Sequence, residues 1–120
     1  MANDVLDFFG RLLMTKVRDE AIADWRMIVE GKMKGERAKK LSEFLDLFSG
    51  KQKAAFLSLV PSVVDSVLHF LLCMLEETKA VRIGVEIKDQ NVANLKELSD
   101  GLAGELYSEE GWIARFSKVL

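Results

Sequence analysis

Asp65, His69 and Cys73 follow one another at intervals of four residues. On a helix that spacing stacks them along one face, and Glu76 or Glu77 extends the stripe. A carboxylate can orient an imidazole, and an imidazole can activate a thiol. The spacing also argues against that chemistry. Groups on a single helix point the same way and leave little room for a substrate between base and nucleophile. A structural zinc needs four ligands, and the chain has one His and one Cys. The stripe therefore reads as Asp65 hydrogen-bonded to His69 on a half-buried face, with Cys73 packed as a small hydrophobe. A polar pocket around the pair is one alternative, and metal binding or catalysis is the other.

A second group lies near the C-terminus. The run Ser99 to Tyr107 mixes acidic, glycine and aromatic residues, and Trp112 and Arg115 follow it. Asp100, Glu105, Trp112 and Arg115 are thus candidates for a ligand or partner patch. The competing reading gives Gly101, Gly104 and Gly111 backbone-geometry roles and makes Trp112 a core anchor. No G-x-G-x-x-G, Walker A, C-x-x-C, H-E-x-x-H or G-x-S-x-G motif occurs, so nucleotide cofactors, zinc proteases and serine hydrolases are disfavoured. No catalytic residue, metal or cofactor is expected.

The elements that must position these groups are legible in the apolar spacing. Val5, Phe8, Phe9, Leu12 and Leu13 follow a helical template, which Asn3 or Asp4 can cap. Ala21, Trp25, Ile28 and Val29 continue a helical stripe, either in the same helix or after a break near Thr15. Gly31 and Gly35 mark an end and a turn. Leu41, Phe44, Leu45 and Phe48 predict a helix over 36–48. Ser49-Gly50-Lys51-Gln52 has the form of a capping box, so a third helix starts at Lys51. Pro61 either kinks it or opens a fourth. The nearly unbroken apolar run from Val63 to Leu75 is expected in the middle of the fold. The period then changes. Val81, Ile83, Val85 and Ile87 alternate with polar neighbours or glycine as a half-buried strand does. Residues 89–98 are ambiguous between a short helix and an ordered loop. Residues 102–107 and 112–117 read as two strands of a hairpin, with Gly111 supplying a positive φ and Trp112, Ala114 and Phe116 sharing a face. The expectation is an α+β domain over 1–120. A helical part of about four helices (1–78) packs on an antiparallel sheet of about three strands (81–117).

Length and charge bound what such a domain can do. A chain of 120 residues with 49% apolar composition is one domain that can build a core without disulfides or metals. A single cysteine suits a reducing compartment, hence a cytoplasmic location. Seventeen basic against nineteen acidic residues, a formal charge of -2, lack the positive excess that phosphate contacts require, so no nucleic acid is expected. The one basic cluster, Lys32, Lys34, Arg37, Lys39 and Lys40, has no interleaved aromatics and reads as a solvated face. The run 54–75 is long enough to cross a bilayer. Asp65, His69, Pro61 and three serines inside it favour a buried helix instead, and no membrane is expected.

Leu59-Val60-Pro61, Val64-Asp65, Leu68-His69 and Leu75-Glu76 precede a denser run. That run is Ser99-Asp100-Gly101-Leu102, Gly104-Glu105-Leu106-Tyr107, Gly111-Trp112-Ile113 and Arg115-Phe116-Ser117. Together they resemble a family of small uncharacterised bacterial proteins over residues 18–118. The resemblance implies a bacterial cytoplasmic single-domain protein and no particular reaction. Proteins of this size and type often serve as immunity or interaction partners, an analogy by class. Phe8, Phe9, Leu12, Leu13 and Met14 are many large apolar groups for one terminal helix. The leading expectation is therefore a non-enzymatic interaction domain forming a homodimer. The alternatives are a small-molecule binder or enzyme built on Asp65, His69 and the C-terminal acidic patch, and an immunity-type partner.

Overall fold

In the computed structural model, which describes residues 2–119, residues 2–29 build one unbroken helical rod. Helix α1 (Ala2–Leu12) runs into a π-helical segment (Leu13–Arg18) and on into α2 (Asp19–Val29). Backbone angles stay helical at both joints. Asn3 and Asp4 lie inside the first turn of α1. Near the expected break, the Thr15 hydroxyl donates to the Arg11 carbonyl at 2.8 Å, a back-bond that competes with the helical ladder. The chain responds with a wider turn and continues.

Gly31 takes φ +73, and the amides of Gly31 and Lys32 return to the carbonyls of Ile28 and Met27 at 3.1 and 2.9 Å. That is a Schellman stop, and it needs a residue tolerant of the left-handed region. Helix α3 (Glu36–Leu45) follows, ending three residues before the expected 48. Helix α4 (Gly50–Glu77) opens with the anticipated capping box. Ser49 Oγ accepts from the Gln52 amide at 3.2 Å, and Gln52 Oε1 accepts from the Ser49 amide at 2.8 Å. Pro61 neither ends α4 nor opens a new helix; it sits inside a continuous 28-residue element.

The last third departs most from expectation. The fold is α+β, but its sheet has two strands rather than three. Strands β1 (Val85–Ile87) and β2 (Gln90–Val92) pair antiparallel across Lys88-Asp89, with Ile87 opposite Gln90. Residues 81–84 of the expected strand stay outside it. The predicted hairpin of 102–107 with 112–117 does not exist. Residues 103–106 form a 3₁₀ turn, and Trp112–Phe116 form a short helix, α5. Burial explains the error. Leu102 and Leu106 are buried four apart, as are Trp112 and Phe116, while Ala114 is exposed. The apolar period here is helical, and sampling every second residue mistook it for a strand. The positive φ of this region belongs to Ser108, not Gly111. Gly111 is required for space, since a Cβ there would overlap the Tyr107 carbonyl oxygen.

Two cores result. The main one joins Val5, Leu6 and Met14 of the rod to Leu68, Leu72 and Leu75 of α4, and to Leu95, Leu102, Leu106 and Trp112. Trp112 lies against α1 so closely that a Cβ on Gly10 would overlap its indole. The smaller core gathers Ile28, Val29, Ala38 and Leu45 under Trp25 and Phe56. The apolar stripe of α1 is thus spent mainly inside the molecule. Only Phe8 and Leu12 remain substantially exposed, so the expectation that this helix offers a face to another subunit loses its basis. The reverse holds for α4. It was expected at the centre, yet only 17% of its most apolar eighteen-residue window is buried.

Candidate functional site

Asp65, His69 and Cys73 do share a face of α4, but the expected pair is not formed. Asp65 is taken by Arg18, which donates Nε to Oδ1 at 2.6 Å and a terminal nitrogen to Oδ2 at 3.2 Å. The π turn places Arg18 there, on a rod face otherwise lined by Met14 and Ile22, and the guanidinium is 3% exposed. It also donates to Ser117 Oγ and the Val119 carbonyl, both at 2.9 Å. Asp19 completes the cluster by accepting from Ser117 Oγ and the Lys118 amide, each at 2.7 Å. Two carboxylates and one cation thus tie the rod, α4 and residues 117–119 together. His69 pairs instead with Tyr107, Nδ1 to the hydroxyl at 2.9 Å. Burial first, then the nearby Asp65 and Cys73, push the Tyr107 hydroxyl pKa upward. Among the described residues no three His, Cys, Asp or Glu side chains converge as metal ligands do.

The C-terminal candidates separate. Asp100, Glu105 and Arg115 meet in a polar cleft of about 490 Å³. Asp7 of α1 and Glu110 join them there, neither anticipated from sequence. Trp112 does not; it is wholly buried, its ring 5.9 Å from that of Phe9, as the core-anchor reading had it. Arg115 forks onto both Asp7 oxygens at 2.8 and 3.1 Å and donates Nε to the Glu110 carbonyl at 2.7 Å. That hydrogen bond, with the attached positive charge, holds the Asp7 carboxyl below its ordinary value. Glu105 accepts from Ser99 at 2.6 Å. The one cation is committed, so four carboxylates give the cleft a negative field that repels anionic ligands. Asp65 and His69 do not line it. The imidazole and the C-terminal carboxylates are therefore not brought together in this cleft.

The largest unexplained feature is apolar. Leu59, Val63, Val67, Phe70, Leu71 and Met74 form one exposed stripe along α4, with Val63, Val67 and Phe70 each more than 60% exposed. The stripe runs about 22 Å at the helical rise. Beside its first half lies a groove. Trp25, Phe56, Leu59 and Val63 line one cavity of about 250 Å³, and Trp25 and Phe56 are shared with a second of about 190 Å³ that reaches Phe44. The sequence signal was available: apolar residues encircle this helix, whereas a helix buried on one side should alternate. Full encirclement was read as full burial, but a 120-residue chain has too few other elements to surround a helix of this length.

No protein-family model, curated protein or solved structure matches the chain.

Proposed function

We propose that the protein is a non-enzymatic interaction domain that works as a homodimer, joined through the exposed face of α4. The supporting observation is surface area. The chain exposes 8158 Å², where a compact monomer of this mass exposes roughly 6,500 Å². The radius of gyration is 17.0 Å against about 14 Å for a compact domain of this length. The excess is not polar decoration. The α4 stripe contributes to it, a contiguous apolar patch of the kind that marks an interaction site. Covering the stripe together with the groove beside it by a second copy would approach the roughly 800 Å² per partner of a stable interface. The membrane reading has one point in its favour: α4 is long and apolar enough to span. Its Arg18–Asp65 pair and its packing against both cores favour a protein partner.

Sedimentation equilibrium at micromolar concentration should give about twice 13.5 kDa. Phe70→Glu, which places a charge in the middle of the stripe and touches neither core, should restore the monomer. A monomeric wild type throughout the micromolar range would overturn the reading.

A further inference from the structure

The exposed face of α4 is sorted by size along its length. Ala55, Ser58 and Ser62 occupy its first half beside Leu59 and Val63. Phe70, Leu71 and Met74 occupy its second half. The groove beside Trp25 opens next to the small half only. One end of the helix is thus a recess and the other a ridge. We infer that two copies pack their α4 helices antiparallel, about a two-fold axis close to Ser66 and Val67. This rests on the dimer proposed above and specifies its geometry.

The register follows from the midpoint of the stripe. With the axis between Ser66 and Val67, Phe70 of one copy faces Val63 of the other, and Met74 faces Leu59. Both recipients line the 250 Å³ groove. Both pairs recur at successive turns, each seating a side chain of one copy's ridge against the groove of the other. This is ridge-into-groove packing, and a two-fold repeats every contact, as an isologous interface requires. A parallel pairing would set ridge on ridge and leave both grooves empty. Charge agrees. Lys51 and Glu77 lie exposed at opposite ends of α4, and the antiparallel pairing brings each toward the other's counterpart. Parallel pairing would stack like charges and align two helix dipoles in the same sense.

Cysteine cross-linking reads the register directly. In a Cys73→Ala background, Ser66→Cys lies at the axis, and a short bis-maleimide should convert most of the dimer to a covalent pair. Lys51→Cys copies would lie roughly 45 Å apart along the antiparallel helices and should not self-link. Equal self-linking at both positions would mean a parallel pair and overturn the geometry. A sedimenting dimer in which Ser66→Cys does not link would place the interface elsewhere, overturning the geometry but not the dimer. A monomer that links at neither position and co-floats with anionic phospholipid vesicles would overturn both in favour of a lipid-bound face.

Discussion

Arg18 is the most constrained charge among the described residues. It is 3% exposed, yet it satisfies Asp65, Ser117 and the Val119 carbonyl at once. Such a cluster adds modestly to stability when intact and costs heavily when broken, because a partner left behind is a buried, unpaired charge. Arg18→Met should therefore cost about 3–5 kcal/mol in denaturant melts. Asp65→Leu alone should also be costly, since the guanidinium loses its forked acceptor. The pair Arg18→Met with Asp65→Leu should cost less than the sum of the singles by at least about 1 kcal/mol, the mark of groups in contact. Strict additivity would show that the two side chains do not share their free energy. Sequence offered a clue to this site. Arg18 lies four residues from both Met14 and Ile22, a charge on an apolar helical stripe. Asp65 was singled out on α4, but its partner was assigned within its own helix. Spacing alone identifies neighbours on one element and is blind to a residue 47 positions away.

At the scale of elements, local chemistry was the readable part. The capping box at Ser49, the glycine stop at Gly31 and the start of α3 all follow from side-chain and backbone rules acting over a few residues. What failed were segments whose form is set by distant packing. Residues 112–116 become helical so that Trp112 can lie on Gly10 of α1 while Phe116 is buried in the same core. A ten-residue window holds both the i, i+4 pair Trp112–Phe116 and an every-second-residue pattern, and the distant contact decides between them. The Asp7–Arg115 fork is the polar counterpart of the same α1–α5 contact. Arg115 lowers the Asp7 pKa, so the bond favours the folded state above the ordinary carboxylate value of 3.8. That contribution is lost as pH falls through the depressed folded value. Both side chains are about a third exposed, so solvent screening limits the fork to about 0.5–1 kcal/mol. Asp7→Asn should lose that amount in urea melts from about pH 5 to 8. Wild type and variant should converge as the pH drops below 3.8. A deficit that persists unchanged to about pH 2 would assign the loss to packing rather than to the charged fork.

At the scale of the whole molecule, the chain is elongated and leaves one apolar helix face open. The chain extends 50 × 30 × 27 Å and divides its apolar residues between two cores that α4 spans. Neither core is large, and the helix that joins them keeps one apolar side in water. If that side is closed by a second copy, folding and association are one equilibrium, and the melting temperature must depend on protein concentration. A tenfold rise in concentration is worth about 1.4 kcal/mol per dimer. Spread over the unfolding entropy of two 120-residue chains, this moves the midpoint by about 3 °C. Calorimetry across two decades of concentration should therefore show a rise of about 5–6 °C for the wild type. Phe70→Glu should melt lower and at a temperature independent of concentration, because its midpoint reports the isolated protomer. A wild-type midpoint that does not move over that range would mean the two small cores hold the fold by themselves. The exposed stripe of α4 would then not be closed by a second copy at the transition, which counts against the dimer.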